Sequence, residues 1–167
     1  MAEALLINRN DVVKFTAVSG NLDTDSFIHF VKIAQDKHIE NYLGTDLLES
    51  IQTKIVAGTL TGDYLTLVNE YIKPCLIHLT LVEMLPFSSY TINNKGVFKH
   101  NSENAEVASK EEVDTLLEKE RDTAQHYTNK LIDFLNFNAP SKYPEYYTSS
   151  NEDVKPDRDA SFEGWVI

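Results

Sequence analysis

Cysteine occurs once in these 167 residues, at position 75, so the chain has no intrachain disulfide and suits a reducing compartment. Basic residues are also scarce: 15 Lys and Arg against 26 Asp and Glu give a formal net charge of −11. Binding to a phosphate backbone is driven by clustered Lys and Arg, and this balance disfavours a nucleic-acid reader. It suits a protein that DNA passes without adhering. No apolar run is long enough to cross a bilayer, and the opening MAEALLINRNDVVKF has no basic stretch leading into an apolar one. The expectation is a chain made soluble in the cytoplasm, without membrane attachment.

Catalytic signatures are missing as well. The five histidines, His29, His38, His78, His100 and His126, show neither the HExxH pattern nor a paired spacing that would set two ligands on one helical face. There is no phosphate-cradling glycine loop and no GxSxG elbow. Cys75 follows Pro74 in an apolar helical pattern and reads as a small hydrophobe, not a nucleophile. Glu111, Glu112, Glu118 and Glu120 are accounted for as helix N-terminal and solvated-face charge. These absences argue for a protein that is not an enzyme and that needs no metal or cofactor.

What the chain does have is helical periodicity. Its 42% apolar and 25% charged content is that of an ordinary globular domain, and 167 residues suffice for one core. After a segment of undecided type at 5–15, Asp23, Thr24 and Asp25 offer caps to a helix. It carries Phe27, Val31, Ala34, His38, Ile39 and Tyr42 at three- and four-residue steps. Gly44 provides a left-handed stop, and Thr45 and Asp46 cap a second helix with Leu47, Leu48, Ile51 and Ile55, which Gly58 ends. A third helix, from Thr61, Gly62 and Asp63 to about Leu85, is apolar on nearly every face and therefore central. Pro74 is expected to kink or break it, and Pro86 to stop it.

Residues 87–108 change character. Two short β-prone runs, at 89–92 and 97–100, flank Asn93, Asn94, Lys95 and Gly96, which is a hairpin signal. This insertion is either a surface connection or a binding loop, with Ile92, Lys95, Val97 and Phe98 as candidate contact residues. A capping box at Ser109 and Glu112 then opens a fourth helix that ends near Phe137. Its stripe is Val113, Leu116, Leu117, Glu120, Ala124, Tyr127, Leu131, Phe134 and Leu135. Glu120 interrupts the stripe and is expected at a partly exposed helix edge, or paired with Lys or Arg.

Residues 138–167 have no period, yet they keep Tyr143, Tyr146, Tyr147, Phe162, Trp165, Val166 and Ile167 and are too aromatic for a passive spacer. Such an arm either wraps its own domain or docks on another chain, and those seven residues are its candidate anchors. The fold expected is mainly α. A compact bundle of about four helices occupies 1–137, with a small β-hairpin-like insertion at 87–108 and an extended C-terminal arm over 138–167.

The stretch DSFIHFVKIAQDKHIENYLGTDLLESI, followed by AGTLTGDYLTLVNEYIKPCLIHLTLVEMLPF, resembles head-to-tail connector proteins of tailed bacteriophages, also called adaptor or ring proteins. In those proteins a helix lands on a Tyr/Leu-Gly turn, a second ends before a short polar loop, and a strongly apolar third packs in the middle. The segment YTINNKGVFKHNSENAEVASKEEVDTLLEKERDTAQHYTNKLIDFL and the string FEGWVI are similar to a connector-like family in phages of Bacteroidetes, the crAss-like group in particular. The resemblance implies a homo-oligomer, a dodecameric ring beneath the portal protein at the head-tail junction of the virion. Such a ring extends the channel through which DNA leaves the capsid, without sequence-specific binding, and offers a platform to the next tail or ring protein. The alternative reading is a small helical protein-protein interaction adaptor that is not part of a virion.

Overall fold

The computed structural model describes residues 4–18, 23–88, 90–93, 96–99, 108–148 and 153–159. Asn8 opens the first helix, α1 (Arg9–Phe15). Its Oδ1 accepts the Asp11 amide at 3.2 Å while Asp11 Oδ2 accepts the Asn8 amide at 2.9 Å, so each side chain satisfies an orphan donor of the other. The segment left undecided in sequence is thus helical.

α2 (Thr24–Ala34) starts where Asp23 accepts the Asp25 amide, and continues through a π turn, Gln35–Ile39, into α3 (Glu40–Leu43). Phe27, Val31, Ala34, His38, Ile39 and Tyr42 are all buried, as their spacing predicts. The π turn also holds Gln35 inside. Its Oε1 accepts the Leu6 amide and its Nε2 donates to the Ala4 carbonyl, both at 3.0 Å, which fastens the N-terminal segment to the bundle.

Gly44 turns the chain with φ 76 and ψ 158, a region open to glycine almost alone, not the left-handed helical stop expected. α4 (Thr45–Val56) follows without a side-chain cap, because its N-cap residue is Gly44; the Thr45 hydroxyl donates to Glu40 at 2.9 Å. Its C-terminus is closed by Gly58 at φ 66: the Gly58 amide reaches Ile55 O and the Thr59 amide reaches Lys54 O.

The central helix comprises α5 (Gly62–Thr66), a π turn at Leu67–Ile72 and α6 (Lys73–Met84). Pro74 neither breaks it nor ends it. The ring removes the amide that would reach back to Glu70, and the ladder widens just before it, with the Lys73 amide bonded to Val68 O. Cys75, Leu76, Ile77, Leu79, Thr80, Leu81 and Val82 are all buried, so α6 is apolar around most of its surface because other elements cover it. Pro86 lies in a 3-10 turn, Leu85–Phe87, which ends the helix as its position implies.

β1 (Tyr90–Asn93) pairs antiparallel with β2 (Gly96–Lys99), Asn93 opposite Gly96. α7 (Lys110–Lys142) then runs 33 residues, about 50 Å at 1.5 Å per residue. Ser109 and Glu112 form the expected capping box. Its far end differs from expectation. The helix passes Phe137 and contains Pro140, because Ala139 and Tyr143, both fully buried, extend the stripe of Ile132 and Leu135. α6 and α7 are antiparallel neighbours: Cys75 Sγ lies 3.3 Å from Thr128 Oγ1, and the Tyr71 and Phe134 rings stack at 3.8 Å. The chain is mainly helical, with α6 between α2 and α7.

Candidate interaction surface

The C-terminal residues are placed by the elements just described. Tyr143, at the end of α7, is fully buried, with its hydroxyl donating to Asp63 O at 2.9 Å and its ring edge-on to Tyr64 at 5.3 Å. A 3-10 turn, Pro144–Tyr146, buries Tyr146 as well. Between them Glu145 accepts the Tyr64 hydroxyl at 2.7 and 2.9 Å and the Ser50 hydroxyl at 2.9 Å. Burial pushes the Tyr64, Tyr143 and Tyr146 hydroxyls up to about 12, so all three stay protonated; Tyr64 and Tyr143 donate as described, whereas the Tyr146 hydroxyl is buried with no hydrogen-bond partner among the described residues. Burial alone would raise Glu145, but the bonds from Tyr64 and Ser50 outweigh it and hold the carboxyl below its usual range.

Residues 153–159 then form a strap across the corner between α3 and α4. Thr45 and Val154 exchange two bonds, Thr45 amide to Val154 O and Val154 amide to Thr45 Oγ1, each 3.1 Å. The Asp157 amide donates to Asn41 O at 2.7 Å. Asn136 Nδ2 of α7 donates to Arg158 O at 3.1 Å. The Arg158 guanidinium donates to Tyr146 O and lies over the Tyr147 ring at 4.5 Å. The strap therefore joins α3, α4, α7 and the turn after α7.

Two His–Glu pairs clamp α6 to its neighbours. His38 Nε2 lies 2.7 Å from Glu83 Oε1, which Lys37 also approaches at 2.8 Å, and His78 Nδ1 lies 2.8 Å from Glu120 Oε2. Glu120 is thus partly exposed, as expected, with histidine as its partner in place of Lys or Arg. Burial lowers the His38 pKa, against the pull of Glu83. Cys75 is fully buried and its thiol is pushed up to about 12 by desolvation, which leaves it inert. Among the described residues no group of three or more His, Cys, Asp or Glu has the geometry to hold a metal ion, and no helix is long and apolar enough to cross a membrane.

The other face of the α6–α7 seam carries a groove of about 270 Å³ bounded by Phe15, Pro74, Ile77, His78 and Tyr127, with Asp11, Asn69 and Lys73 as its further polar walls. Tyr127 stacks on His78 at 5.3 Å and nearly parallel, and Phe15 stands 59% exposed at the rim.

A model of a family of unknown function, DUF6712, matches residues 39–156. The chain belongs to that family. Comparison with curated proteins and with solved structures gives no match. The DUF6712 span begins in the π turn at Ile39 and closes on Pro156, so it takes in the corner, the central helix, α7 and most of the strap. Phe15 and the segment 160–167 lie outside it.

Against this geometry the sequence candidates divide. Tyr143 and Tyr146 are interior residues and offer no anchor to another chain, because the stripe of α7 carries them into its own core. Tyr147 is 45% exposed beside Arg158. Phe162, Trp165, Val166 and Ile167 lie outside the described residues, as does Lys95. Ile92, Val97 and Phe98 lie in the paired strands, and their side chains are not among those described. The sequence reading missed Phe15, the groove and the strap contacts of Pro156 and Arg158. Pro156 follows a charged, aperiodic stretch, and nothing local marks it as a partner of a glycine more than a hundred residues earlier.

Proposed function

We propose that this DUF6712 protein is a structural virion protein that forms a ring beneath the portal, joins capsid to tail and extends the DNA channel. The observation that carries the reading is the strap. By fastening 153–159 to the corner and to Asn136, it sets a defined starting point for the aromatic sequence that holds Phe162 and Trp165, on the flank of a helix about 50 Å long. A long helix with an aromatic segment delivered at its side suits side-by-side packing of many copies. The net charge of −11 suits a wall past which DNA slides.

The partners on this reading are further copies of the chain, the portal protein and the next tail or ring component. The insertion at 87–108, with its hairpin-forming residues, supplies a second contact surface. Phe87 and Tyr90, each 52% exposed, and Leu116, 54% exposed, favour the adaptor alternative to the extent that they offer an apolar surface to a single partner without a ring. Light scattering on the purified chain, followed by co-sedimentation with portal-bearing capsids, separates the two. The ring reading expects a particle many times heavier than 19.0 kDa, or one that forms on the portal. A chain that stays monomeric and does not sediment with such capsids overturns it.

A further inference from the structure

The groove and the strap lie on opposite flanks of α7. Tyr127 forms one wall of the groove, while Asn136, nine residues later, holds the strap through Arg158 O. At 3.6 residues per turn, nine residues amount to about half a turn of the helix. The buried stripe of Ala124, Thr128, Leu131 and Leu135 runs between these two flanks. A segment that leaves the strap after Asp159 therefore starts on the side of α7 away from the groove.

Closed rings are held by heterologous contacts, in which one face of each copy meets a different face of the next. A donor segment on one flank and a receptor on the other is the arrangement such a contact needs. The chemistry also matches. The groove has apolar and aromatic walls in Phe15, Pro74, Ile77 and Tyr127, and its polar lining includes Lys73 and Asp11, whose charged groups lie 4.0 Å apart. Residues 160–167, ASFEGWVI, are apolar and aromatic apart from Ser161 and one acidic residue, Glu163, placed between Phe162 and Trp165. A volume of about 270 Å³ has room for an aromatic side chain.

We propose that this groove receives the segment 160–167 of a neighbouring copy, with an aromatic ring seated against Phe15 and Tyr127 and Glu163 beside Lys73. The proposal rests on the ring reading, whose subunit contact it names. It assigns Phe15 a purpose: its ring, 59% exposed, is part of the groove lining.

Two experiments test it. In the first, Phe15→Cys and Trp165→Cys are combined in the full chain and oxidised; Cys75 is buried and does not compete. The expected product is a ladder of covalent multimers on a non-reducing gel. A bond formed only within one chain, or no bond at all, overturns the proposal. In the second, a peptide of residues 159–167 is added to the chain truncated after Asp159. Trp165 is the only tryptophan, so the peptide alone reports. A blue shift and a saturable rise in anisotropy are expected, weakened at least tenfold by Phe15→Ser in a variant whose circular dichroism is unchanged. Absence of the shift, or indifference to Phe15→Ser, overturns the groove as receptor. Rings that form while both tests fail keep the ring reading and sink this one, whereas a chain that stays monomeric yet binds the peptide keeps the groove and loses the ring.

Discussion

The Pro156 ring rests on the bare Cα of Gly44: a Cβ built there would lie 2.7 Å from both Cγ and Cδ of the proline. One glycine thus serves two ends, the turn between α3 and α4 and the seat for the strap. Gly44→Ala forces a φ of 76 and a ψ of 158 on alanine, worth about 1–3 kcal/mol, and adds the collision with Pro156. Gly58→Ala, at φ 66 with open space around it, should lose only about 1–2 kcal/mol. Urea unfolding of the two variants measures the difference. Equal losses would show that the strap does not press on Gly44.

Leu76 has no exposed surface in the middle of α6, so Leu76→Ala should lower stability by about 2–5 kcal/mol. Leu79→Asp, which would place an unpaired carboxylate at a site 3% exposed, should be at least as damaging. Leu65, on the same helical rod but 39% exposed, provides the control, since Leu65→Ala should change stability far less. Thermal unfolding reads all three. An unchanged melting temperature for Leu76→Ala would remove α6 from the centre of the fold.

Most of the helices were legible because their apolar residues recur at helical spacing and their ends carry recognisable caps. Asp23, Gly58, Ser109 and Glu112 behave as local chemistry dictates. The misreadings share a cause. Pro74 is expected to kink or break its helix and the helical period to end near Phe137, but tertiary packing decides otherwise: a π turn just before Pro74 carries the central helix on unbroken, and burial of Ala139 and Tyr143 carries α7 past Phe137 and Pro140. The stripe from Leu135 through Ala139 to Tyr143 was present in sequence as a four-residue step, and the asparagines and the proline around it hid it. The His–Glu pairs join residues 45 and 42 positions apart, and Pro156 meets Gly44 across more than 100, and no periodicity reports such pairings.

Acid should weaken the fold in two steps. Burial holds the His38 pKa below its ordinary 6.5 despite Glu83, so the unfolded chain takes up that proton first and stability falls as pH drops below 6.5. Glu83 is raised by burial, but the bonds from Lys37 and His38 more than offset this and its carboxyl ends below the ordinary 4.5. Its contribution is present above pH 4.5 and is lost as pH falls through the folded value. Melting temperature should therefore decline from pH 7 toward pH 4. His38→Gln should flatten the upper part of the decline and leave the lower part. Identical profiles for the two proteins would show that His38 does not titrate with folding.

A chain with net charge −11 should not hold duplex DNA, and least of all at low salt, where repulsion is poorly screened. A gel-shift series from low to physiological ionic strength checks this. Retention that weakens with added salt would point to basic contacts and count against a passive channel wall.

Where the chain is cut should matter more than how much is removed. The aperiodic composition from residue 138 onward suggests a cut at Pro140 that spares the helical domain, but Pro140 lies inside α7, and Tyr143 and Tyr146 beyond it have no exposed surface. Ending the chain after Ala139 removes both rings, the Tyr143 bond to Asp63 and the Glu145 partner of Tyr64 and Ser50. Loss of one buried large aromatic is worth about 3–5 kcal/mol, so this truncation should unfold the protein or leave it barely stable. Ending the chain after Asp159 keeps the strap, with its bonds to Asn41, Thr45 and Asn136, and should leave helicity and melting temperature close to those of the full chain. If residues 160–167 carry the contact between copies, this second truncation should nevertheless lose assembly. Circular dichroism and thermal melts compare the folds, and light scattering with co-sedimentation on portal-bearing capsids compares assembly. A chain ending at Ala139 that melts like the full chain would show that Tyr143 and Tyr146 contribute nothing to the core. A chain ending at Asp159 that assembles undiminished would move the docking surface away from the tail, to the insertion at 87–108.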